Sequence, residues 1–220
     1  MLRVEVKPEI LRWAVERSGR DPAKLYERFP KLDDWERGEA QPTFKQLEDF
    51  AQATYTPFGY FFLAEPIQEQ LPIPDFRTIA NTGVVRPSPD LLDVLHLCQQ
   101  RQEWYRNYAR ANGDKPLAFV GSAKRTANPV ETAAAIRDAI GFDLDERRDA
   151  HTWEEALRQF IERVDTAGVM VMVSGVVGAN NRRKLDQEEF RGFALSDPLA
   201  PLIFINGSDT KSAQMFTLAH

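Results

Sequence analysis

Apolar side chains recur at helical spacing through the first sixty-odd residues of the chain. Four short helices are predicted there: the first begins at Pro8 and ends at Gly19, the second is capped by Asp21, the third carries Trp35 and the fourth begins at Thr43. The run PFGYFFL that follows them is apolar on all sides and is expected to be buried. The first part of the chain is therefore predicted to be a compact helical unit.

Beyond residue 65 the pattern changes twice. Five prolines in residues 66–90 interrupt the periodicity and favour an extended linker. Three amphipathic stretches, three β-prone runs and a last helical stretch follow the linker. The predicted helices span about 89–111, 128–141, 152–167 and 209–220, and the predicted strands span 169–173, 190–195 and 201–205. The predicted fold class is α+β, with a helical domain at 1–65, a linker at 66–90 and a domain of helices and a small sheet at 91–220.

Composition narrows the class of protein. The 220 residues are 43% hydrophobic and 28% charged, which is ordinary for a globular protein, and the net charge of -5 disfavours a general nucleic-acid binder. No apolar run is long enough for a transmembrane helix, and the N-terminus lacks the apolar core of a signal peptide. The single cysteine, Cys98, excludes an intrachain disulfide. A cytoplasmic protein without membrane contact is expected.

The N-terminal unit contains a motif with a known counterpart. Residues 35–38 read WERG and are followed by Pro42 and Leu47. Together they resemble the end of the helix-turn-helix domain of phage repressors of the Xre type, over residues 7–63, and the resemblance implies binding to operator DNA. In this chain the turn before the recognition helix is shorter than in that family and contains Pro30. The helix-turn-helix is therefore degenerate.

The charge of the same unit opposes DNA binding. Residues 33–39 hold four acidic side chains and one basic side chain, Arg37. A duplex-binding helix normally gains affinity when lysine and arginine displace counterions from phosphates. Besides a DNA-binding transcriptional regulator, two interpretations remain open: a purely structural module, and a protein-interaction module that presents the aromatic run 57–63 and the long helix. No DNA-contacting residue is assigned.

A second, longer motif lies at the C-terminal end. Residues 174–220, from SGVVG to FTLAH, together with FRT at 76–78, resemble the ImmA/IrrE family of metallopeptidases. The resemblance implies a zincin-like peptidase domain joined to a helix-turn-helix domain. It also implies a zinc-dependent endopeptidase that cleaves a transcriptional repressor in a mobile-element, toxin–antitoxin or stress response. With the N-terminal motif, the resemblance covers most of the chain.

His220 is the first zinc ligand that this resemblance implies. In the motif HExxH a second histidine follows four residues later on the same helix face, and the glutamate between them is the general base. Those residues and a third ligand are not among the 220. Because a catalytic site needs about three protein ligands and a water, the chain is expected to be a truncated peptidase that is inactive and binds no zinc stably. The alternative is a histidine without a metal role.

The resemblance also implies a strand that binds substrate. In zincins a sheet strand beside the metal helix pairs with the extended peptide through main-chain hydrogen bonds. The candidate edge is formed by Phe190, Arg191, Gly192, Phe193, Ala194 and Leu195. Gly192 has no side chain to obstruct a neighbouring chain. An ordinary structural strand is the alternative interpretation.

The remaining candidates are expected to have no catalytic role. His96 is interpreted as a helix-surface or packing residue, His151 as a loop or cap residue, and Cys98 as a buried apolar residue. The basic run NNRRK at 180–184 is expected to form a loop that either steers an acidic substrate segment or is simply solvated. None of these residues changes the leading hypothesis of a peptidase.

Overall fold

The computed structural model describes residues 3–69, 73, 76–77, 87–124, 126–143 and 151–220. The chain divides into two compact units, Met1–Leu71 with Arg86–Leu92, and Pro72–Val85 with Asp93–His220. Its elements are helices and small sheets, which confirms the predicted α+β class. Most of the predicted linker at 66–90 lies outside the described residues. In the part of the chain that the structure describes, no helix has the length and apolarity needed to cross a membrane.

The first unit is helical, as predicted. It contains α1 (Pro8–Arg17), α2 (Pro22–Arg28), α3 (Leu32–Glu36), α4 (Phe44–Thr54) and a 3₁₀ helix (Phe58–Phe62). The predicted cap at Asp21 is confirmed, because its carboxylate accepts from the Ala23 N–H at 3.0 Å. Thr43, where the fourth helix was expected to begin, forms a reciprocal capping box with Gln46. Trp35 and Phe50 meet edge to face in the centre of this unit, with ring centroids 6.3 Å apart.

The aromatic run at 57–63 is only partly buried. Phe61 enters the core of the first unit, whereas the Phe62 side chain is 53% exposed. The expectation that the whole run is buried is therefore wrong. The reason is its 3₁₀ geometry, which directs successive aromatic residues to different sides of a short helix. Phe62 instead extends a row of aromatic contacts through Phe58 to Phe44, with centroids 5.4 and 5.0 Å apart.

The second unit combines helices with a sheet. Its helices are α5 (Pro89–Asn112, from Asp93 onward), α6 (Pro129–Ile140), α7 (Trp153–Thr166) and α8 (Lys211–Ala219). Its strands are β1 (Phe76–Arg77), β2 (Met170–Ser174), β3 (Val176–Val177), β4 (Asn180–Lys184), β5 (Gly192–Leu195) and β6 (Leu202–Asn206). The four predicted helices and three predicted strands of this region are confirmed to within a few residues.

Four strands form the main sheet in the order β1-β5-β6-β2. β5 is antiparallel to β6, with Gly192 opposite Ile205, and β6 is parallel to β2. β1 is antiparallel to β5, with Arg77 opposite Gly192. Strand β5 therefore lies inside the sheet where β1 pairs with it.

Helices cover both faces of this sheet. On one face Ile205 of β6, Phe160 and Val164 of α7 and Leu218 of α8 belong to one hydrophobic cluster. On the other face α5 lies against β2, where the Cys98 Sγ is 4.0 Å from the Met172 Sδ. The helix that ends at His220 is thus held by a shared core with α7 and β6.

Two predicted local features are wrong. The basic run at 180–184 is strand β4, which forms an antiparallel hairpin with β3 around Gly178, and is not a loop. Because its side chains are polar on both faces, this strand lacks the alternation of apolar and polar residues by which a strand is predicted from sequence. The terminal helix is capped by Thr210, whose Oγ1 accepts from the Ala213 N–H at 3.3 Å, and not by Ser208 or Asp209.

Candidate functional site

Gly192 brings strand β5 and helix α8 together. A Cβ atom built on Gly192 would lie 2.6 Å from the main-chain oxygen of Phe204 and 2.7 Å from the Cγ2 of Thr217. Both distances are shorter than real Cβ contacts, so any side chain larger than hydrogen requires the strand or the helix to move. Thr217 lies one helical turn before His220. The last turn of α8 is therefore packed closely against β5.

The turn between β6 and α8 is fixed by a buried glutamine. The Gln214 Nε2 donates to the main-chain oxygens of Gly207 at 3.1 Å and Asp209 at 2.6 Å. Gln214 is itself fully buried, so its amide ties two carbonyls of the half-buried turn to the interior of the second unit. They hold the N-terminal end of α8 at a defined place after the sheet.

The residues just before β5 are held by the last residue of β6. The Asn206 Nδ2 donates to the main-chain oxygens of Asp186 and Phe190, both at 3.1 Å, and its main-chain N–H donates to the Arg191 oxygen at 2.8 Å. Phe190 is buried, and the Arg191 Nη1 lies 3.6 Å from the Asp209 Oδ2. Phe190 and Arg191 therefore lie outside the strand proper, which begins at Gly192.

The position of β5 corrects one expectation. Residues 190–195 were expected to form an edge, but β1 pairs with β5 at Gly192 and Phe193. The expectation failed because β1 is formed by Phe76 and Arg77, which lie in the proline-rich stretch that was predicted to be a linker. The substrate-binding role of the six residues stays a prediction. It now requires the main chain of β5 to become accessible at those positions.

His220 lies at the end of α8 with its side chain exposed. Its main-chain N–H donates to the Phe216 oxygen at 3.1 Å, which closes the last turn. Over the described ranges, no group of three or more His, Cys, Asp and Glu side chains is placed to hold a metal ion. His96 and His151 are exposed on α5 and before α7. The residues described here therefore do not fit a catalytic zinc site without further ligands.

Thr217 is a residue of this junction that the sequence did not single out. Its Cγ2 contacts Gly192, and its Oγ1 is buried without a hydrogen-bond partner in the structure. A buried hydroxyl without a partner destabilises the fold, so the methyl group rather than the hydroxyl accounts for its packing. Its place in the run FTLAH, three residues before the candidate ligand, is the sequence signal that points to it.

The face around α3 is acidic in the structure as in the sequence. The Arg37 guanidinium is 2.7 Å from the Asp33 carboxylate and 3.1 Å from those of Asp34 and Glu39. Asp33, and after it Glu39, raise the pKa of Arg37 above its ordinary value. The α3 helix itself spans only five residues. A cation surrounded by three carboxylates is poorly placed to bind a phosphate.

Two other candidates, Cys98 and the basic run at 180–184, contact neighbouring elements of the second unit. Cys98 is buried beside a cavity of about 60 Å³ between α5 and the sheet, and burial raises the pKa of its thiol to about 12. The thiolate is therefore disfavoured at neutral pH, as is usual for a buried structural cysteine. In the basic run, the Arg183 Nη2 lies 2.7 Å from the Asp93 carboxylate and joins β4 to α5.

Neither the protein-family models, nor the curated proteins, nor the solved structures compared with this chain contain a significant match. A functional assignment therefore rests on the residues and the geometry of the chain itself.

Proposed function

We propose that this chain carries the substrate strand and the first part of the metal helix of an ImmA/IrrE-type metallopeptidase. Its second unit is the zincin-like part, and its first unit is a degenerate helix-turn-helix of the Xre type. The proposed substrate is a transcriptional repressor. In this proposal β5 binds the repressor as an extended strand, and His220 is the first of the zinc ligands.

The contact between Gly192 and Thr217 is the observation that carries the proposal. Through this contact the last turn of α8, which leads to His220, packs against β5, the strand that we propose binds substrate. A peptide that adds to β5 would pair with its main chain and lie beside this helix. The amide network of Asn206 and Gln214 holds both elements in a fixed relation, as a site that positions a peptide requires.

The metal chemistry is not complete in these residues. One imidazole is present on α8, and the described part of the chain holds no cluster of three metal-ligating side chains. The proposed activity therefore belongs to a protein that also contains the glutamate and the histidine that the resemblance assigns to positions after His220. What the present residues provide is a strand and a helix that pack closely at Gly192 and Thr217.

A cleavage assay tests the proposal. The protein translated from the complete reading frame is loaded with one equivalent of zinc and mixed with purified Xre-type repressors of the same genome. We expect one repressor to be cut, and the cut to disappear with a chelator, with His220→Ala, and with glutamine in place of a glutamate directly after His220.

His96→Ala is the matched control, because His96 is an exposed histidine on α5. It should leave cleavage unchanged. Failure to cut any of the repressors, or cleavage that persists in His220→Ala, would contradict the proposed peptidase.

A further inference from the structure

We propose that the segment containing Phe76 and Arg77 occupies, within the same chain, the strand position on β5 that an extended substrate would take. A substrate must then displace this segment before it pairs with β5. That the displacing chain is a substrate peptide rests on the proposed function. The occupancy itself rests only on the pairing of β1 with β5.

The hydrogen bonds of β5 show which residue directs its main chain toward β1. The Asn206 N–H donates to the Arg191 oxygen at 2.8 Å, and Gly192 lies opposite Ile205. Hydrogen-bonded and non-hydrogen-bonded pairs alternate along an antiparallel ladder. Phe193 therefore directs its N–H and C=O toward β6. Gly192 directs its own toward the opposite side, where β1 lies.

The register then separates the roles of the two β1 residues. Arg77 is opposite Gly192, and Phe76 is opposite Phe193. By the same alternation, Arg77 and Gly192 form the hydrogen-bonded pair, and the main-chain N–H of Phe76 points away from β5. The main chain of Arg77 thus occupies the two polar groups of Gly192 that strand addition by a peptide would use.

Competition follows from the number of main-chain groups. Each residue of a strand has one N–H and one C=O. The N–H and C=O of Gly192 that face away from β6 can therefore bond either Arg77 or a substrate residue, but not both. The segment is tethered, which gives it a high effective concentration at β5. Within the described residues, β1 provides one hydrogen-bonded pair, and a peptide that pairs along more of β5 provides more. Such a peptide is therefore expected to displace Arg77 from Gly192.

Proline substitutions test the occupancy with a matched control. Arg77→Pro removes the N–H that faces Gly192, whereas Phe76→Pro removes one that faces away from β5. Amide hydrogen exchange of the 220-residue chain is measured by NMR. In Arg77→Pro we expect the Gly192 amide to exchange at least about tenfold faster, while Phe193, bonded to β6, keeps its protection. Phe76→Pro should match the wild type at both amides. Unchanged protection of Gly192 in Arg77→Pro, or equal loss in both variants, would overturn the proposed pairing.

Binding of a labelled peptide tests the competition. The probe is a fluorescein-labelled peptide with the sequence of residues 73–80, IPDFRTIA. We expect it to bind Arg77→Pro about tenfold or more tightly than the wild type or Phe76→Pro, because only the first variant has lost its tethered competitor. Equal affinities for the three proteins, or no binding to Arg77→Pro, would overturn the proposal. Neither measurement involves zinc, so a failure of repressor cleavage with these results intact would remove the peptidase assignment and leave the occupancy standing.

Discussion

At the scale of single residues, the distance between β5 and α8 is set by one missing side chain. Gly192 is flanked by the Phe204 oxygen of the neighbouring strand and the Thr217 methyl group of the helix. The first neighbour is main chain and cannot rotate away. Close approach of the helix to the strand therefore depends on glycine at this position.

Gly192→Ala is expected to destabilise the second unit by about 2–3 kcal/mol, because the added methyl group forces two packed elements apart. Calorimetric unfolding checks this. Thr217→Ser in the same background should recover only part of the loss, since it removes the Cγ2 contact and leaves the Phe204 oxygen in place. A Gly192→Ala variant as stable as the wild type would show that β5 and α8 are not packed this closely.

At the scale of elements, buried amides connect the sheet to its helices. The Gln102 Nε2 on α5 donates to the Leu195 and Ala200 oxygens, both at 2.8 Å. These two carbonyls lie at the end of β5 and just before β6, on either side of the loop that joins the strands. α5 therefore fixes this loop as well as covering a sheet face.

Gln102→Met keeps the shape of the side chain and removes both donors. We expect a loss of about 2 kcal/mol, because two carbonyls at buried positions lose the side-chain amide that donates to them. Chemical denaturation checks the value. Gln100→Met is the matched control on the exposed side of the same helix and should change stability by less than about 0.5 kcal/mol. Equal effects of the two substitutions would mean that the Gln102 hydrogen bonds contribute nothing.

The elements also show what a sequence can predict. Helices with local caps, such as those begun by Asp21, Asn128 and Thr152, were predicted because the capping side chain and the apolar stripe lie within a few residues. Strand β1 was missed because its two residues form a strand only through β5, more than a hundred residues away. The contact of Gly192 with Thr217 was missed for the same reason. The residue types were visible, but their distance is a property of tertiary packing.

At the scale of the whole molecule, the two units differ in the function that their residues support. The proposal of a peptidase concerns the second unit, in which β5 and α8 meet. The first unit, proposed as a degenerate helix-turn-helix, has an acidic surface at α3. The chain has a net charge of -5, which adds no general attraction to nucleic acid.

We therefore expect the 220-residue chain not to shift duplex DNA from upstream of its own gene, even at about 50 mM salt, where phosphate contacts are strongest. A gel-shift titration in salt measures this. A complex that weakens steeply with salt and is lost in Arg37→Ala would contradict the expectation and favour a DNA-binding regulator.

The zinc content of the protein tests the central claim most directly. It is measured by atomic spectroscopy on the 220-residue chain, on the product of the complete reading frame, and on that product with His220→Ala or His96→Ala. We expect no stoichiometric zinc on the 220-residue chain, and one zinc per complete protein that is lost with His220→Ala and kept with His96→Ala. A complete protein without zinc, or one that keeps its zinc in His220→Ala, would contradict the assignment of His220 as a metal ligand of a peptidase.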